Sequence, residues 1–285
     1  MNILITGGTG FIGRNLVPLL QENLKIEEIF LLVRDKEKAE FLFKKKKIKI
    51  ITLEENIENI RIDKVIHLAA YLTSSDTKEN IEKLIDSNLR FGTLVLDYIK
   101  NKEIQEFINF GTFAEYQFGR GLDSAYLYSA TKTAYRSILD YYSKTYNFKY
   151  YNVIPYTIYG RKDTQKKVID YIKDSFEKKV NMTLGEQILD FIHIDDVCDF
   201  IIKLLFHDKK IPNKQEFFLG TGKGTTIREL SKILELKYNK KCNINWGKLE
   251  YRPNDIMYAV APIGNNLKYL NWKASIFLGE KLWKK

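Results

Sequence analysis

Met1-Asn2-Ile3-Leu4-Ile5-Thr6-Gly7-Gly8-Thr9-Gly10-Phe11-Ile12-Gly13 opens the chain and decides its fold. Residues 2–6 are a short apolar run and predict a buried strand. A glycine cluster follows at once, and residues 14–22 continue as a helix through Leu16, Val17, Leu19 and Leu20. The glycines read as Gly8-x-Gly10-x-x-Gly13 or as Gly7-x-x-Gly10-x-x-Gly13. Such glycines allow a tight turn, close approach of the backbone to a pyrophosphate, and close helix-to-strand packing. The N–H groups that begin the helix would then face phosphates. A strand before the glycines and a helix after them is the context a dinucleotide-binding loop requires.

With 285 residues the chain can build one large domain, or one domain with a smaller lobe. A hydrophobic fraction of 45% is that of a soluble globular protein. No apolar run reaches the roughly 18–20 residues of a membrane span, and the N-terminus is a core strand rather than a leader. Cys198 and Cys242 make neither a metal spacing nor a disulfide framework. These features predict a cytoplasmic enzyme that needs no metal. The net charge of +10 is read as a lysine-rich surface rather than a nucleic-acid or membrane footprint, and its field favours an anionic substrate. Lys44 to Lys47 reads as a solvated turn.

Further strands are expected at residues 28–33, 47–52, 64–69, 106–111 and 150–154. Helices are expected at 36–43, 79–100 and 126–146. This alternation predicts an α/β chain with a Rossmann-type doubly wound parallel sheet, covered by helices on both faces. Such sheets bind ligands beyond the carboxyl ends of their strands. After Gly160 the rhythm breaks, with a helix read at 164–178, loop and short strand at 180–191, and a returning helix at 193–206. Residues 216–219, a helix at 227–236, and the segment from Cys242 onward read as a smaller α/β lobe. The expected division is a cofactor domain at 1–160 and 189–215, interleaved with a substrate lobe at 161–188 and 216–285.

Two positions carry chemistry. Tyr128 and Lys132 stand four apart in a helical stretch and share a face. A free tyrosine titrates near pH 10, and a neighbouring ammonium favours the phenolate, so the pair can trade a proton with a carbonyl or alcohol. Thr112, ending the preceding strand, adds a hydroxyl. The second strand ends in Val33-Arg34-Asp35, where an NAD enzyme presents a carboxylate to the ribose. Arg34 suits the 2′-phosphate of NADP(H) instead, with Arg14 or Lys36 as helpers, unless Asp35 does the acidic task.

At this point the chain resembles the extended short-chain dehydrogenase/reductase family of nucleotide-sugar epimerases, dehydratases and reductases. The matching stretches run from Gly7–Gly13 through His67-Leu68-Ala69-Ala70, Asn88 with Gly92-Thr93, and Thr112 with Tyr128 and Lys132. They continue through Pro155–Gly160, Asp190–Val197 and Tyr251-Arg252-Pro253-Asn254-Asp255. The resemblance implies catalytic roles for Thr112, Tyr128 and Lys132. It implies cofactor contacts from Gly7, Thr9, Gly10, Phe11 and Ile12, from Leu68, Ala69 and Ala70, and from Tyr128, Lys132 and Tyr156, beside Arg34. It implies substrate contacts from Thr73, Thr112, Phe113, Thr157 and Gln187, with Arg252 on the diphosphate of a sugar nucleotide. A homodimer built on the helices of Asn88 and Tyr128 is implied in the same way.

The departures are informative. Dehydratases of this family carry Asp-Glu after the catalytic threonine, where this chain has Phe113-Ala114. Leu189 stands where an arginine is common. Three phrases, Gly111-Thr112-Phe113, Gly185-Glu186-Gln187 and Asn243–Gly247, are similar to reductases that make CDP-paratose or CDP-abequose. The expectation is an NADP(H)-dependent reductase at C4 of a nucleotide-linked 4-keto-6-deoxy or dideoxy sugar. The alternatives are a 4-epimerase with bound NAD and a non-catalytic NADP sensor.

Overall fold

The computed structural model describes residues 1–43, 47–117 and 121–280; Lys44–Lys46, most of the basic run, lie outside them. Among the described residues, the chain divides into two compact units, Met1–Ile154 with Cys198–Phe217, and Pro155–Val197 with Phe218–Lys285.

The first unit is built on strands β1 (Asn2–Thr6), β2 (Glu28–Leu32), β3 (Ile48–Ile51), β4 (Lys64–His67), β5 (Glu106–Phe110) and β6 (Lys149–Pro155). Their order is β6-β5-β4-β1-β2-β3, and each adjacent pair is parallel. Gln215–Leu219, grouped by sequence with the later elements, is a seventh, edge strand beside β6. The strand order reverses between β1 and β4, the point at which doubly wound sheets hold ligands. Helices α1 (Phe11–Gln21), α2 (Lys36–Leu42), α3 (Lys78–Leu84), α4 (Phe91–Ile99) and α5 (Leu127–Thr145) connect the strands. Parallel strands covered on both faces read as apolar runs, and β1, β2 and β5 are buried almost throughout. Phe30, Val65, Val95, Phe107 and Tyr135 lie in one of the cores formed on the sheet.

The helix expected at 79–100 is interrupted. Between α3 and α4, Ile85–Arg90 forms a π-helical stretch. The apolar spacing runs through it unbroken, so the wider turn was not legible. Such turns are frequent at functional sites, and here it carries Asn88. The Asn88 amide accepts from the Tyr71 N–H at 2.8 Å and donates to the Tyr71 carbonyl at 3.1 Å. It also donates to Thr131 Oγ1 at 3.0 Å. One side chain thus ties the loop after β4 to α5.

At the opposite end of the sheet, a buried polar cluster fastens the returning segment. Lys64 Nζ lies 2.6 Å from Glu106 Oε2 and donates to the Leu205 carbonyl at 2.8 Å. Glu106 Oε1 accepts from the Tyr151 hydroxyl and meets His207 Nε2, each at 2.9 Å. Burial opposes the Glu106 charge, but His207 and Lys64 outweigh it and hold the carboxyl down at about 2.

In the second unit, the helix expected at 164–178 shrinks to Val168–Asp174. Side chains claim the backbone ahead of it: Asp163 accepts from the Gln165 N–H at 3.0 Å and Asp170 from the Lys167 N–H at 2.9 Å. Ile188–His193 pairs with Thr157–Tyr159, Gly224–Thr226 and Tyr258–Ala259, and Ile244–Trp246 pairs with Val180–Met182. Tyr159, Ile172, Phe191, Leu230 and Leu234 share its core.

Breaking a buried ion pair by removing one partner typically costs about 3–5 kcal/mol. Glu106→Gln should therefore lower the urea midpoint clearly while keeping the helical signal of the folded state. An unchanged midpoint would show that the Lys64–Glu106 pair is not formed in solution.

Candidate active site

The glycine loop lies where the strand order predicts. Gly7 has φ +68°, a conformation only glycine adopts without strain, and a Cβ there would stand 2.5 Å from the Ala69 nitrogen. A Cβ on Gly13 would stand 2.4 Å from the Gly8 carbonyl oxygen. The two glycines press the loop onto the end of β4 and α1 onto the loop. Gly10, exposed, is the N-cap of α1 and supplies no side-chain cap. Thr9, Phe11 and Ile12 are half-buried around it, as are Leu68 and Ala69, while Ala70 is exposed. The shape of this cradle fits a dinucleotide backbone, because side chains are absent where phosphates would approach.

Behind the loop, a row of buried polar side chains crosses the sheet. Thr6, His67, Asn109 and Asn152 stand in register on adjacent strands. Thr6 Oγ1 accepts from the Ala69 N–H at 3.2 Å and lies 2.8 Å from His67 Nδ1. The His67 ring packs on Phe107 and Tyr135, and burial followed by the Lys132 charge lowers it to about 3. His67 is therefore neutral at physiological pH, a core histidine as its strand position suggests.

Arg34 follows β2 with most of its side chain in solvent, its Nη1 3.4 Å from Ser87 Oγ and 3.9 Å from Asp86. Asp35 is committed elsewhere: it is the N-cap of α2 and accepts from the Lys38 N–H at 2.9 Å. Lys36 pairs with Glu55 at 2.9 Å.

Tyr128 and Lys132 lie on the first turns of α5, 8% and 2% exposed. Thr112, 8% exposed, caps a single 3-10 turn at Phe113–Glu115. The sequence led us to expect a phenol lowered by its lysine. Instead burial pushes the Tyr128 phenol up and the Glu115 carboxylate pushes it further. Burial also lowers the Lys132 ammonium to about 8, with Glu115 raising it and Arg136 lowering it. Because folding depresses this group, its burial opposes folding at neutral pH, and that cost fades as pH rises from about 8 toward 10.5.

Sequence reading missed Glu115 and Arg136. Thr-x-x-Glu is the signature of a capping box, and Thr112 and Glu115 form one. Arg136 continues the spacing of Tyr128 and Lys132 by one more turn. Its partners, however, are set by tertiary structure.

Thr73, half-buried in the loop after β4, accepts from the Ser75 N–H at 3.1 Å. Phe113 is half-buried on the turn after Thr112. In the second unit, Tyr156 is buried and Thr157 half-buried. The phrases singled out around Gln187 and Trp246 come together there. The Glu186 N–H donates to the Tyr251 hydroxyl at 3.0 Å, and a Cβ on Gly185 would stand 2.5 Å from the Trp246 ring. Arg228 lies over that ring at 4.8 Å and donates to the Leu184 carbonyl at 2.6 Å. Arg252, next to Tyr251, is exposed. Asp190 is fully buried, accepting from Thr221, Gly222 and Ala261, and Asp196 accepts from Ser275 and Ile276, so both are structural carboxylates.

Among the described residues no group of three or more His, Cys, Asp or Glu is arranged to hold a metal, and no helix is long and apolar enough to cross a membrane.

Known proteins extend these observations. The chain is 30% identical to a CDP-abequose synthase of Yersinia pseudotuberculosis over 90% of its own length and 91% of that protein. It is 29% identical to the CDP-abequose synthase of Salmonella typhimurium, covering 95% and 92%. A UDP-glucuronic acid 4-epimerase from Bacillus cereus, solved with UDP-glucuronic acid and NAD, shares the fold with a TM-score of 0.85 at 22% identity, covering 98% and 96%. A profile of the NAD dependent epimerase/dehydratase family matches residues 3–220, and the chain belongs to that family.

Proposed function

We propose that this chain is an NADP(H)-dependent reductase acting at C4 of a nucleotide-linked 4-keto-6-deoxy or dideoxy sugar. The observation that carries the proposal is the buried pair Tyr128 and Lys132 at the start of α5, with Thr112 capping the turn just after β5. The two relatives named for CDP-abequose synthesis support a CDP-linked sugar, and with it a nucleotide-sugar enzyme. The first unit would hold the cofactor through Gly7–Gly13, Leu68–Ala70 and Arg34. The second would hold the sugar nucleotide, with Arg252 on the diphosphate and Gln187 and Thr157 nearby.

A bound nicotinamide supplies the hydride. Tyr128 keeps its proton at neutral pH because burial raises the phenol, and it is the donor to the C4 oxygen. The Thr112 hydroxyl accepts from backbone N–H groups of the turn it caps, the Ala114 N–H at 3.4 Å among them, and its own proton serves the same oxygen. Lys132 stays charged below about pH 8 and favours the phenolate left behind. Arg34 supports NADP(H), since Asp35 is occupied as a helix cap and Lys36 by Glu55. Exposed Ile81, Ile85 and Leu94 on the α3–α4 segment support a homodimer. The composition and the enzyme relatives support a cytoplasmic setting and no nucleic-acid partner.

Tyr128→Phe should leave NADPH binding intact and cut turnover by about 100- to 10,000-fold, the usual loss for a general acid. Steady-state activity near wild type in that variant would remove the assignment.

Given a CDP-linked 4-keto-6-deoxyhexose, the protein should oxidise one NADPH per sugar reduced. NADH should serve distinctly less well, and Arg34→Ala should erode that preference. Epimerisation of an ordinary nucleotide hexose without added cofactor, with NAD co-purifying, would assign the 4-epimerase reading instead.

The kcat/KM profile reports groups of the free enzyme. It should fall as pH rises through about 8, where Lys132 loses its charge. A profile flat to pH 10 would show that the ammonium is not required.

A further inference from the structure

Beside the reacting residues lies a buried network that the proposed chemistry does not use. Glu115 is fully buried, and both oxygens of its carboxylate are engaged. Oε2 accepts from the Thr112 backbone N–H at 2.8 Å and from Arg136 Nη2 at 3.1 Å. Oε1 accepts from the Thr133 hydroxyl at 3.1 Å and lies 2.8 Å from Arg136 Nε, an ionic contact whose angle is poor for a hydrogen bond. The remaining arm of Arg136 donates to the Tyr116 hydroxyl at 2.7 Å and to Glu216 at 2.5 Å. Arg136 is itself 7% exposed. A Cβ on Gly111 would stand 2.5 Å from Glu115 Oε2 and 2.9 Å from Arg136 Nη2, so the pair packs directly on the chain that delivers Thr112.

We infer that Glu115 and Arg136 are positioning residues whose ion pair locks the turn carrying Thr112 to the helix carrying Tyr128 and Lys132. The inference rests on the reading of those three residues as the reacting groups. Each partner is fixed to a different element. Glu115 closes the capping box on Thr112, whereas Arg136 stands one turn beyond Lys132 on α5. The turn of Thr112 and the helix of Tyr128 are therefore joined through the Glu115 carboxylate, by the Arg136 guanidinium and by the Thr133 hydroxyl on the same helix. Two-pronged arginine–carboxylate pairs fix direction as well as distance. A displacement of about 1 Å at a reacting group costs about 100-fold in rate.

The same pair sets the charge around Lys132. Glu115 raises the ammonium and Arg136 lowers it, while Tyr128 and the neutral His67 add no charge at neutral pH. Glu115, Glu216, Arg136 and Lys132 together balance to zero. Removing the Glu115 charge takes away the charge that raises Lys132 and leaves the Arg136 guanidinium, paired with Glu216 alone, lowering it, so its ammonium is lost at lower pH. The alkaline limb therefore reads the Glu115 charge, and kcat at unchanged KM reads the geometry.

The test uses the full chain, NADPH and a CDP-linked 4-keto-6-deoxyhexose. Glu115→Gln keeps the shape and removes the charge. Its kcat should fall by about 10- to 100-fold, with the KM for the sugar nucleotide and the Kd for NADPH within about twofold of wild type. The alkaline limb of its kcat/KM profile should move below that of wild type. Arg136→Lys keeps the charge and removes the fork. It should lose about tenfold in kcat with the limb unmoved, and it reads the geometry should Glu115→Gln not fold. Tyr128→Phe is measured alongside. An inactive Tyr128→Phe together with wild-type kcat and pH limb in either folded variant overturns this inference alone. An active Tyr128→Phe overturns the reading on which it rests.

Discussion

The site depends on keeping a lysine ammonium charged where almost no water reaches it. Lys132 is 2% exposed, and burial, opposed by Glu115 and aided by Arg136, brings its titration down to about 8. Desolvation of this size must be met by fixed charges, since an isolated buried ammonium would discharge. The surroundings answer that requirement from three directions. Glu115 supplies the counter-charge, Arg136 prevents that carboxylate from moving, and His67 is held neutral by its own burial. The polar row Thr6, His67, Asn109 and Asn152 follows the same logic one layer away, with Thr6 and His67 paired and Asn109 donating to Asn152 at 2.8 Å.

Geometry near the ammonium is fixed by side chains that grip backbone. Asn88 holds both polar groups of Tyr71 and reaches Thr131 on α5. Glu115 holds the N–H of Thr112. Gly92 allows α4 to approach α5, because a Cβ there would stand 2.5 Å from the Tyr135 ring. The loop after β4, the turn after β5 and the start of α5 are thus tied to one another by hydrogen bonds rather than by apolar packing alone. Hydrogen bonds fix direction, and a proton transfer needs direction.

What was legible in the sequence follows from range. The strand-glycine-helix opening is a local pattern, and the parallel pairing of β1 to β6 follows from alternating elements. Tyr128 and Lys132 were legible because helical spacing places them on one face. The π-helical stretch at Ile85–Arg90 was not, since its apolar spacing is that of a continuous helix and its cause lies in the contacts of Asn88. Sequence left open whether Asp35 or Arg34 faces a cofactor ribose; a capping bond to Lys38 occupies the carboxylate. The direction of the Tyr128 shift was misjudged for a single reason. Spacing reveals a neighbouring charge but not the burial that outweighs it.

The place of Glu115 also bears on which reaction the site can host. Elimination of water from a sugar needs an acid/base side chain open to the substrate beside the reacting hydroxyls. By resemblance to dehydratases that pair would stand at Phe113-Ala114, where neither side chain ionises. The nearest carboxylate along the chain is Glu115, one residue further on. It is fully buried, accepts from Thr112 and Thr133, and is pinned by a guanidinium. Such a carboxylate is not open to a substrate, and protonating it would leave the Arg136 charge to Glu216 alone. In this chain Glu115 is turned inward and holds the turn of Thr112 to α5. That arrangement supports the proposed reduction at C4, in which the tyrosine, the threonine and the lysine would handle the proton.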